Sequence, residues 1–428
     1  MARQMKDSGI EWIGEIPETW TISKNKYLLD SMYSGGTPSA SNSEFYAEAE
    51  GTPFVSISDM SATDYVLTTK KSLTPSGIAD KGLLVLPAGT VLYSIYATVG
   101  AVSELAIDAT ISQAMLALTV KQDVDKQYYK YCLFAMKDYI FGSANGNTQF
   151  NLNAEKVWNF VFPKPCTPEQ HRIAAFLDRK CAEIDAVIER TKATIEEYKK
   201  LKQAVITEAV TKGVRGARKM KDSGIEWARE IPVEWESINP KALFTQRKDK
   251  ARAGQRQLTA SQQHGVIYQD EYMELTGAKV VTVEKDFDIL KQVEAGDFVI
   301  SMRSFQGGLE YSHLTGSISS AYVMLIPNLQ LVYPRLFRWL LKSPVYINAL
   351  QSTSNMVRDG QAMRYSNFAQ VRLYTVPLDE QEEIADYLDD KCAAMDTLIA
   401  KKTALLTELE TYKKSLIYEY VTGKKEVL

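Results

Sequence analysis

MKDSGIEWIGEIPETW, residues 5–20, recurs almost unchanged as MKDSGIEWAREIPVEW, residues 220–235, with twelve of the sixteen positions identical. A second pair follows, because PEQHRIAAFLDRKCAEID at residues 168–185 matches DEQEEIADYLDDKCAAMD at residues 379–396. The two stretches of about 140 residues between these repeated parts barely resemble each other. The repeat therefore predicts one scaffold, built twice, that carries two different inserted regions.

Two long helices are predicted from the spacing of apolar residues. Steps of four and three residues alternate, which is the 3.5-residue period of a coiled-coil seam. The first seam is Leu177, Cys181, Ile184, Ile188, Thr191, Ile195, Tyr198, Lys202, Val205 and Ala209. An offset of 211 residues gives the second seam, Leu388, Cys392, Met395, Ile399, Lys402, Leu406, Leu409, Lys413, Leu416 and Tyr420. Gly213 and Gly423 stand where the two helices are expected to end.

The expected fold class is α+β, with two mixed α/β domains joined by two long antiparallel coiled-coil helices. The internal repeat implies a pseudo-two-fold axis, which makes the helix pair antiparallel. The alternative is two separate amphipathic helices, each docked on its own domain. The predicted boundaries are a leader packing near the C-terminal helix (1–17), a first variable domain (18–165), a central helix (166–217), the repeated leader (218–235), a second variable domain (236–377) and a distal helix (378–428).

Composition limits the functional classes. The 428 residues are 45% hydrophobic and 24% charged, as in an ordinary globular protein of two to three domains. No run of 18 apolar residues predicts a membrane span, and the N-terminus lacks the apolar core of a secretory signal. The four cysteines form no CxxC pair and indicate reduced thiols in the cytoplasm. A net charge of −3 argues against a generally basic surface but allows local basic faces.

The motifs of enzyme chemistry are missing from the sequence. There is no GxGxxG loop, no P-loop, and no cluster among the three isolated histidines that would hold a metal. We therefore expect no catalytic residue, no metal and no cofactor. Besides a non-catalytic binding protein, two hypotheses remain open at this point. One is a DNA enzyme that carries its own specificity domain, and the other is a coiled-coil scaffold that binds only protein.

Candidate DNA-contacting residues lie in polar segments that include glycine. Base contacts need hydrogen-bonding side chains on exposed loops that can enter a groove. The candidates are Tyr96, Thr98, Asn145, Asn147 and Gln149 in the first region, and Arg303, Ser304, Gln306, Arg358, Gln361 and Arg364 in the second. Residues 241–256, which include Lys248, carry six basic residues against one acidic residue. This cluster suits phosphate contacts, and a solvated basic loop fits it equally well.

Short segments occur in a fixed order around the repeated parts. The first region contains SGGTPS from Ser34, PFVSISDM from Pro53, then PAGTVLYS, ATVG and SQA. The second region contains GDFVISMRSFQGG and SSAYVML. The leader is duplicated, and so are the EQ and IA motifs, at Glu169 and Ile173 and at Glu380 and Ile384. Taken in order, these segments closely resemble the specificity (S) subunit of type I restriction–modification systems, over nearly the whole chain.

The resemblance implies a non-catalytic role. Each variable domain would be a target-recognition domain that binds one half of a gapped, asymmetric double-stranded DNA site. The helices would set the spacer and dock two methyltransferase (M) subunits, with restriction/translocase (R) subunits completing the complex. S-adenosylmethionine and ATP would belong to those partner subunits. A degenerate S subunit without DNA specificity is the alternative within the family.

Overall fold

Each copy of the repeated sequence lies in its own half of the structure. The computed structural model divides into unit 1, Met1–Thr191 with Ala404–Leu428, and unit 2, Lys192–Thr403. Each unit holds one leader, one variable region and a segment of each long helix. The described residues are 3–48, 50–61, 63–142, 152–252, 254–283, 289–301, 309–353 and 364–427.

The first half of the chain contains thirteen strands and five α-helices in its described part. The strands are β1 (Met5–Asp7), β2 (Glu15–Pro17), β3 (Thr21–Lys24), β4 (Leu29–Ser34), β5 (Tyr46–Ala47), β6 (Thr52–Val55), β7 (Tyr65–Val66), β8 (Lys71–Leu73), β9 (Val91–Ser94), β10 (Val102–Leu105), β11 (Thr110–Ile111), β12 (Met115–Val120) and β13 (Val161–Lys164). The helices are α1 (Ile57–Met60), α2 (Pro75–Lys81), α3 (Lys126–Gly142), α4 (Ala154–Trp158) and α5 (Thr167–Lys212).

The second half repeats this plan with fewer strands. Those described are β14 (Met220–Asp222), β15 (Glu230–Pro232), β16 (Glu236–Ile238), β17 (Phe244–Arg247), β18 (Leu258–Ser261), β19 (Gly265–Tyr268), β20 (Lys291–Val293), β21 (Phe298–Ser301), β22 (Leu309–Tyr311), β23 (Gly316–Ile318), β24 (Tyr322–Pro327) and β25 (Leu373–Thr375). The helices are α6 (Pro240–Leu243), α7 (Gln269–Thr276), α8 (Pro334–Leu340), α9 (Pro344–Ser352), α10 (Tyr365–Phe368) and α11 (Leu378–Val421).

The two variable regions share a central sheet although their sequences differ. In unit 1 the strand order is β4-β12-β9-β10-β7, and in unit 2 it is β17-β24-β21-β22. The first four strands of the two sheets correspond in order, and all their pairings are antiparallel. A helical segment follows each sheet, namely α3 in unit 1 and α8 with α9 in unit 2. Residues 341–343 separate α8 from α9, and α9 begins at Pro344 because proline favours the first turn of a new helix.

The two long helices, α5 with 46 residues and α11 with 44, are confirmed. Within unit 1 they run antiparallel, because Phe176 lies against Tyr420 whereas Asp185 pairs with Lys413. Within unit 2 the same direction follows from Lys202 with Asp396 and from Arg215 with Glu383. The helices end before Gly213 and Gly423, which have φ of +73° and +74°. Glycine adopts these left-handed angles without a Cβ penalty.

Both main cores are built from equivalent positions of the repeat. In unit 1, Trp20, Leu177 and Val421 are buried in one apolar cluster with side chains of the sheet and α3. In unit 2 the corresponding cluster contains Trp235, Leu388 and Val210. The leader and the helix ends are therefore part of each domain's core. Among the described residues, no helix is both long and apolar enough to cross a membrane.

Candidate nucleic-acid interface

The candidate DNA-contacting residues fall at equivalent places in the two variable regions. The first place is the connection between the third and fourth strands of the shared sheet, β9–β10 in unit 1 and β21–β22 in unit 2. The second place follows the helical segment, after α3 and after α9. In chain order the first place holds Tyr96 and Thr98 in the first region and Arg303, Ser304 and Gln306 in the second. The second place holds Asn145, Asn147 and Gln149 in the first region and Arg358, Gln361 and Arg364 in the second.

The β9–β10 connection is the candidate loop that the structure describes completely. Tyr96 and Thr98 are both exposed, and 47% of Tyr96 is accessible. The buried Ser94 holds the loop, because its hydroxyl donates to the carbonyl of Thr98 and its carbonyl accepts from the amide of Gly100 at 3.0 Å. Ala97 has φ of +59°, an unfavourable angle for a residue with a Cβ. The fold therefore presents Tyr96 and Thr98 on a tightly hydrogen-bonded turn.

Most of the other candidates lie outside the described residues: Asn145, Asn147, Gln149, Arg303, Ser304, Gln306, Arg358 and Gln361. Arg364 is described and exposed, directly before α10. Its amide donates to Asn367 Oδ1 at 3.1 Å, and the Asn367 side chain donates to the carbonyl of Thr353 at 2.9 Å. These bonds join the two sides of the segment that contains Arg358 and Gln361.

The basic stretch at 241–256 is partly neutralised by acidic residues from elsewhere in unit 2. Arg247 makes a two-pronged ion pair with the buried Asp297, at 2.7 and 2.9 Å. Arg252 pairs with Glu294, and Arg256 pairs with Asp270. The Arg247–Asp297 pair neutralises its charges inside the domain. The pairs of Arg252 and Arg256 are exposed, so they reduce the local positive charge but contribute little to stability. Lys248 is exposed and remains the candidate phosphate contact of this stretch, together with the exposed Lys241 and Lys250.

A glutamate, partly buried in unit 1 and fully buried in unit 2, joins each leader to the start of a long helix. In unit 1, Glu169 accepts from Arg3 Nη2 at 2.6 Å and from Trp20 Nε1 at 2.9 Å. In unit 2, Glu380 accepts from Arg218 and, at 3.1 Å, from Trp235 Nε1. The guanidinium lies 5.2 Å from the centre of the indole ring in both units. We call each of these three-residue groups a leader clamp.

The glutamine that follows each of these glutamates holds the variable domain. Gln170 Oε1 accepts from the amide of Asp125 at 2.8 Å, directly before α3. Gln381 Oε1 accepts from the amide of Tyr333 at 2.7 Å, directly before α8. The EQ motif therefore has a local explanation, because its glutamate holds the leader and its glutamine holds the start of the domain's helix.

In each unit a tyrosine hydroxyl donates a hydrogen bond to a backbone carbonyl in the final turn of a long helix. Tyr128 donates to the carbonyl of Val421 at 3.0 Å, and Tyr374 donates to that of Val210. Burial raises the pKa of both hydroxyls well above its ordinary value, so that they remain protonated donors. Tyr128 comes from a helix and Tyr374 from a strand. Sequence comparison between the halves missed this equivalence because the two tyrosines do not align.

The predicted seam residues lie in buried or half-buried positions. The first helix contributes Leu177, Ile184, Ile188, Ile195 and Tyr198, and the second Leu388, Met395, Ile399, Leu406, Leu409 and Leu416. Two of the three seam lysines have acidic partners on the opposite helix. Lys413 pairs with Asp185 and Lys202 with Asp396, both at 2.7 Å or less. These two pairs are related by the same 211-residue offset as the helices.

Each variable domain also contacts its long helix at a second point, which the sequence analysis missed. In unit 1 the hydroxyl of Tyr131 donates to Asp178 Oδ1 at 2.8 Å. In unit 2, Trp339 Nε1 donates to Asp389 Oδ1 at 2.7 Å, and Arg335 and Arg338 bind the same carboxylate. We call these two contacts the domain clasps. The signal was present, because Asp178 and Asp389 are an identical position of the helix repeat.

The partners of Asp389 in the second clasp favour the ionised form of its carboxyl group. Partial burial alone would raise the pKa of Asp389, but hydrogen bonds from Arg335, Trp339 and Arg338 outweigh this effect and lower the pKa. In the first clasp, burial raises the pKa of Tyr131, which remains a neutral donor. Among the described residues, no three His, Cys, Asp or Glu side chains are grouped to hold a metal.

The fold and the interface define a class of protein in which a duplicated helical frame carries two unlike recognition domains. Residues 17–197 match the family model of the type I restriction modification DNA specificity domain. The chain is 22% identical over 406 residues to the type I restriction enzyme EcoBI specificity subunit of Escherichia coli, covering 90% of this chain and 82% of that protein. Over nearly its whole length the chain is thus similar to a type I restriction enzyme specificity subunit, and residues 17–197 match the DNA specificity domain of such proteins.

Two further proteins are similar to this chain, one in sequence and one in fold. The type I restriction enzyme MjaIX specificity subunit of Methanocaldococcus jannaschii is 26% identical over 194 residues, which cover 44% of this chain and 43% of that protein. A chain from a structure solved to explain complex assembly and conformational transition of the type I R-M system has a similar fold. The TM-score is 0.69 at 14% identity, over 96% of this chain and 99% of the other.

Proposed function

We propose that this chain is the DNA sequence-specificity subunit of a type I restriction–modification complex. Its two recognition domains bind the two halves of a gapped, asymmetric site in double-stranded DNA. The helices set the spacer and dock two methyltransferase subunits, and restriction/translocase subunits join the same complex. The chain works in the cytoplasm, where its four free cysteines stay reduced.

The observation that most directly supports an asymmetric target is that the two domains share a sheet but differ in the sequences of the connecting segments. In chain order, polar candidates follow the third sheet strand and the helical segment in both regions, but the residue types differ. Hydrogen-bonding side chains choose bases, so different side chains at equivalent positions select different half-sites. Two identical domains would instead bind a palindrome. The arrangement therefore supports an asymmetric target.

Each unit exposes apolar side chains on its long-helix segments, which supports a helical protein partner. In unit 1 these are Val187, Leu405 and Tyr412, and in unit 2 they are Leu201, Leu378, Tyr387 and Leu398. Val187 corresponds to Leu398 and Leu201 to Tyr412 by the 211-residue offset. Exposed apolar groups on a helix suit an added protein helix. Because this equivalent pair of positions is apolar and exposed in both units, it supports one methyltransferase copy per unit.

The chemistry is proposed to reside in the partner subunits. S-adenosylmethionine and ATP bind there, since this sequence contains neither a GxGxxG motif nor a P-loop. The chain itself contributes binding groups, with Tyr96, Thr98, Lys248 and Arg364 as the described candidates for DNA contact. We propose no metal, no cofactor and no catalytic residue in this subunit.

A methylation map tests the function. The chain is co-expressed with its genomic-neighbour methyltransferase in a methylation-free host, and N6-methyladenine is located by long-read sequencing. A two-part, asymmetric, gapped motif is expected. A soluble assembled complex that methylates no motif would favour a degenerate subunit or a protein-only scaffold. Methylation by this chain without a partner would contradict its non-catalytic role.

A further inference from the structure

The domain clasps lie at a distance from the other attachment of each domain. The EQ motif and the leader clamp hold the domain at Glu169 in unit 1 and at Glu380 in unit 2. The clasp residues Asp178 and Asp389 lie nine residues further along each helix. Nine helical residues span about 14 Å at 1.5 Å per residue. Each recognition domain is therefore fixed to its helix at two separated points.

The apolar core already packs each domain on its helix, and the clasp adds a polar contact far from the EQ motif that opposes tilting of the domain. The clasp residues come from the helix that follows the shared sheet, Tyr131 on α3 and Trp339 on α8. A tilt of that helix also moves the strand connections, because the sheet and the helix share one core in each unit. The tilt angle therefore determines where the candidate DNA-contacting segments lie relative to the helix.

We propose that Asp178 and Asp389 are positioning residues that set the angle of each recognition domain on its long helix, and thereby fix the gap that the subunit accepts between half-sites. This inference rests on the proposed function. It goes beyond helix length as the measure of the spacer, because it assigns part of the spacing to a side-chain contact. It also predicts that a helix of unchanged length can accept more than one gap.

The two clasps use different chemistry. Tyr131 is neutral and makes one hydrogen bond to Asp178, which is exposed. Asp389 is half-buried. It forms ion pairs with Arg335 and Arg338 and accepts a hydrogen bond from Trp339, and Arg335 also forms an ion pair with Asp386. Lys202 of the other long helix lies 5.9 Å from the centre of the Trp339 ring. The second clasp therefore depends on charge, and salt will weaken it more than the first.

The first arm of the test measures the attachment in the full-length chain. Asp389→Ala should raise hydrogen exchange about tenfold in the α8 segment, because an opened clasp permits local opening. The adjacent exposed Asp390→Ala is the matched control, since it removes the same charge from the same turn. Unchanged exchange in Asp389→Ala would overturn the proposal. Asp178→Asn should preserve protection of α3, because an amide oxygen still accepts from Tyr131, whereas Tyr131→Phe should reduce it.

The second arm maps methylation by complexes that contain each variant. The wild type and Asp390→Ala should methylate one gap length, and Asp389→Ala should add neighbouring gap lengths with both half-sites unchanged. A variant with raised exchange and a single unchanged gap would overturn the spacing role. Failure of the wild type to methylate any gapped motif would contradict the proposed function, whereas the exchange arm would still decide whether the clasp exists.

Discussion

One turn of the leader differs between the two halves at a single strained residue. Gly14 has φ of +67°, and Arg229 occupies the equivalent position with φ of +43°. The two amides make equivalent hydrogen bonds: that of Gly14 donates to the carbonyl of Ile10 and that of Arg229 to the carbonyl of Ile225, both at 2.8 Å. Arginine therefore occupies a turn for which glycine is the unstrained choice.

Arg229→Gly should raise the free energy of unfolding of unit 2 by about 0.5–1 kcal/mol, because the relieved strain exceeds the added flexibility of the unfolded chain. Gly14→Ala should lower that of unit 1 by about 1 kcal/mol, since the new Cβ meets only Lys424 Nζ at 3.8 Å and the cost is backbone strain. Urea unfolding of both variants measures these changes. A loss of stability in Arg229→Gly would show that its side chain makes stabilising contacts.

The lowered pKa of Asp389 predicts a pH dependence. A carboxylate with a lowered pKa in the folded state stabilises the fold above its ordinary pKa, and this contribution disappears as the pH falls through the folded value. The stability difference between wild type and Asp389→Asn should therefore be largest near neutral pH and shrink below about pH 4. Urea unfolding from pH 7 to pH 3.5 measures it. A difference that stays constant with pH would contradict an ionised clasp.

At this scale the sequence predicted positions better than interactions. The EQ motif was found from the repeat, but its contacts with Arg3, Trp20 and Asp125 required the fold. The basic stretch looked like a phosphate site because Asp297 and Asp270, which neutralise Arg247 and Arg256, are distant in sequence. Ion pairs of this kind follow from tertiary packing, which a local charge count does not contain.

Among the elements, the paired helices contain two equivalent interhelical ion pairs. Lys413 is mostly buried and contacts both oxygens of Asp185, whose side chain is about half exposed. Solvent screening limits a pair of this exposure to about 1 kcal/mol or less. Its position in an apolar seam nevertheless favours the antiparallel register that places lysine opposite aspartate.

Lys413→Asp should destabilise unit 1 by about 1 kcal/mol, because two carboxylates then face each other. Adding Asp185→Lys reverses the pair and should recover most of that loss. A double-mutant cycle by thermal or urea unfolding gives the coupling energy. The pair of Lys202 and Asp396 in unit 2 provides an internal repeat of the experiment. No recovery in the reversed pair would show that the lysine acts through packing alone.

The helices were predictable because their 3.5-residue period persists over 33 residues in each, 177–209 and 388–420, which local patterns seldom imitate. Pro344 also explains where α9 begins, because proline fits the first turn of a helix. The equivalence of the two sheets was not predicted. Strand order depends on pairing between distant segments, and the two variable sequences are too different for alignment to reveal it.

At the scale of the whole molecule, helix length is expected to determine the gap between half-sites. Inserting three heptads after Ala193 and three after Ala404 keeps the seam in phase and adds about 31 Å. This length is close to one turn of DNA, so the accepted gap should lengthen by about nine or ten base pairs. Methylation mapping measures the new gap. Full activity with an unchanged gap would contradict the role of the helices.

A single heptad in each helix is the matched control. It adds about 10 Å, or about three base pairs, and so turns one half-site away from the face of the DNA that the domain approaches. Methylation should fall sharply with one heptad and return with three. Equal activity of the two variants would indicate that helical phase is irrelevant.

The central claim is that one repeated frame carries two independent DNA-binding domains. The most direct measurement replaces residues 37–162 alone with the corresponding region of another family member and maps N6-methyladenine for parent and chimera side by side. We predict that one half of the methylated motif changes, while the other half and the gap stay as in the parent. A chimera that assembles with its methyltransferase and changes both halves, or neither, would contradict the account.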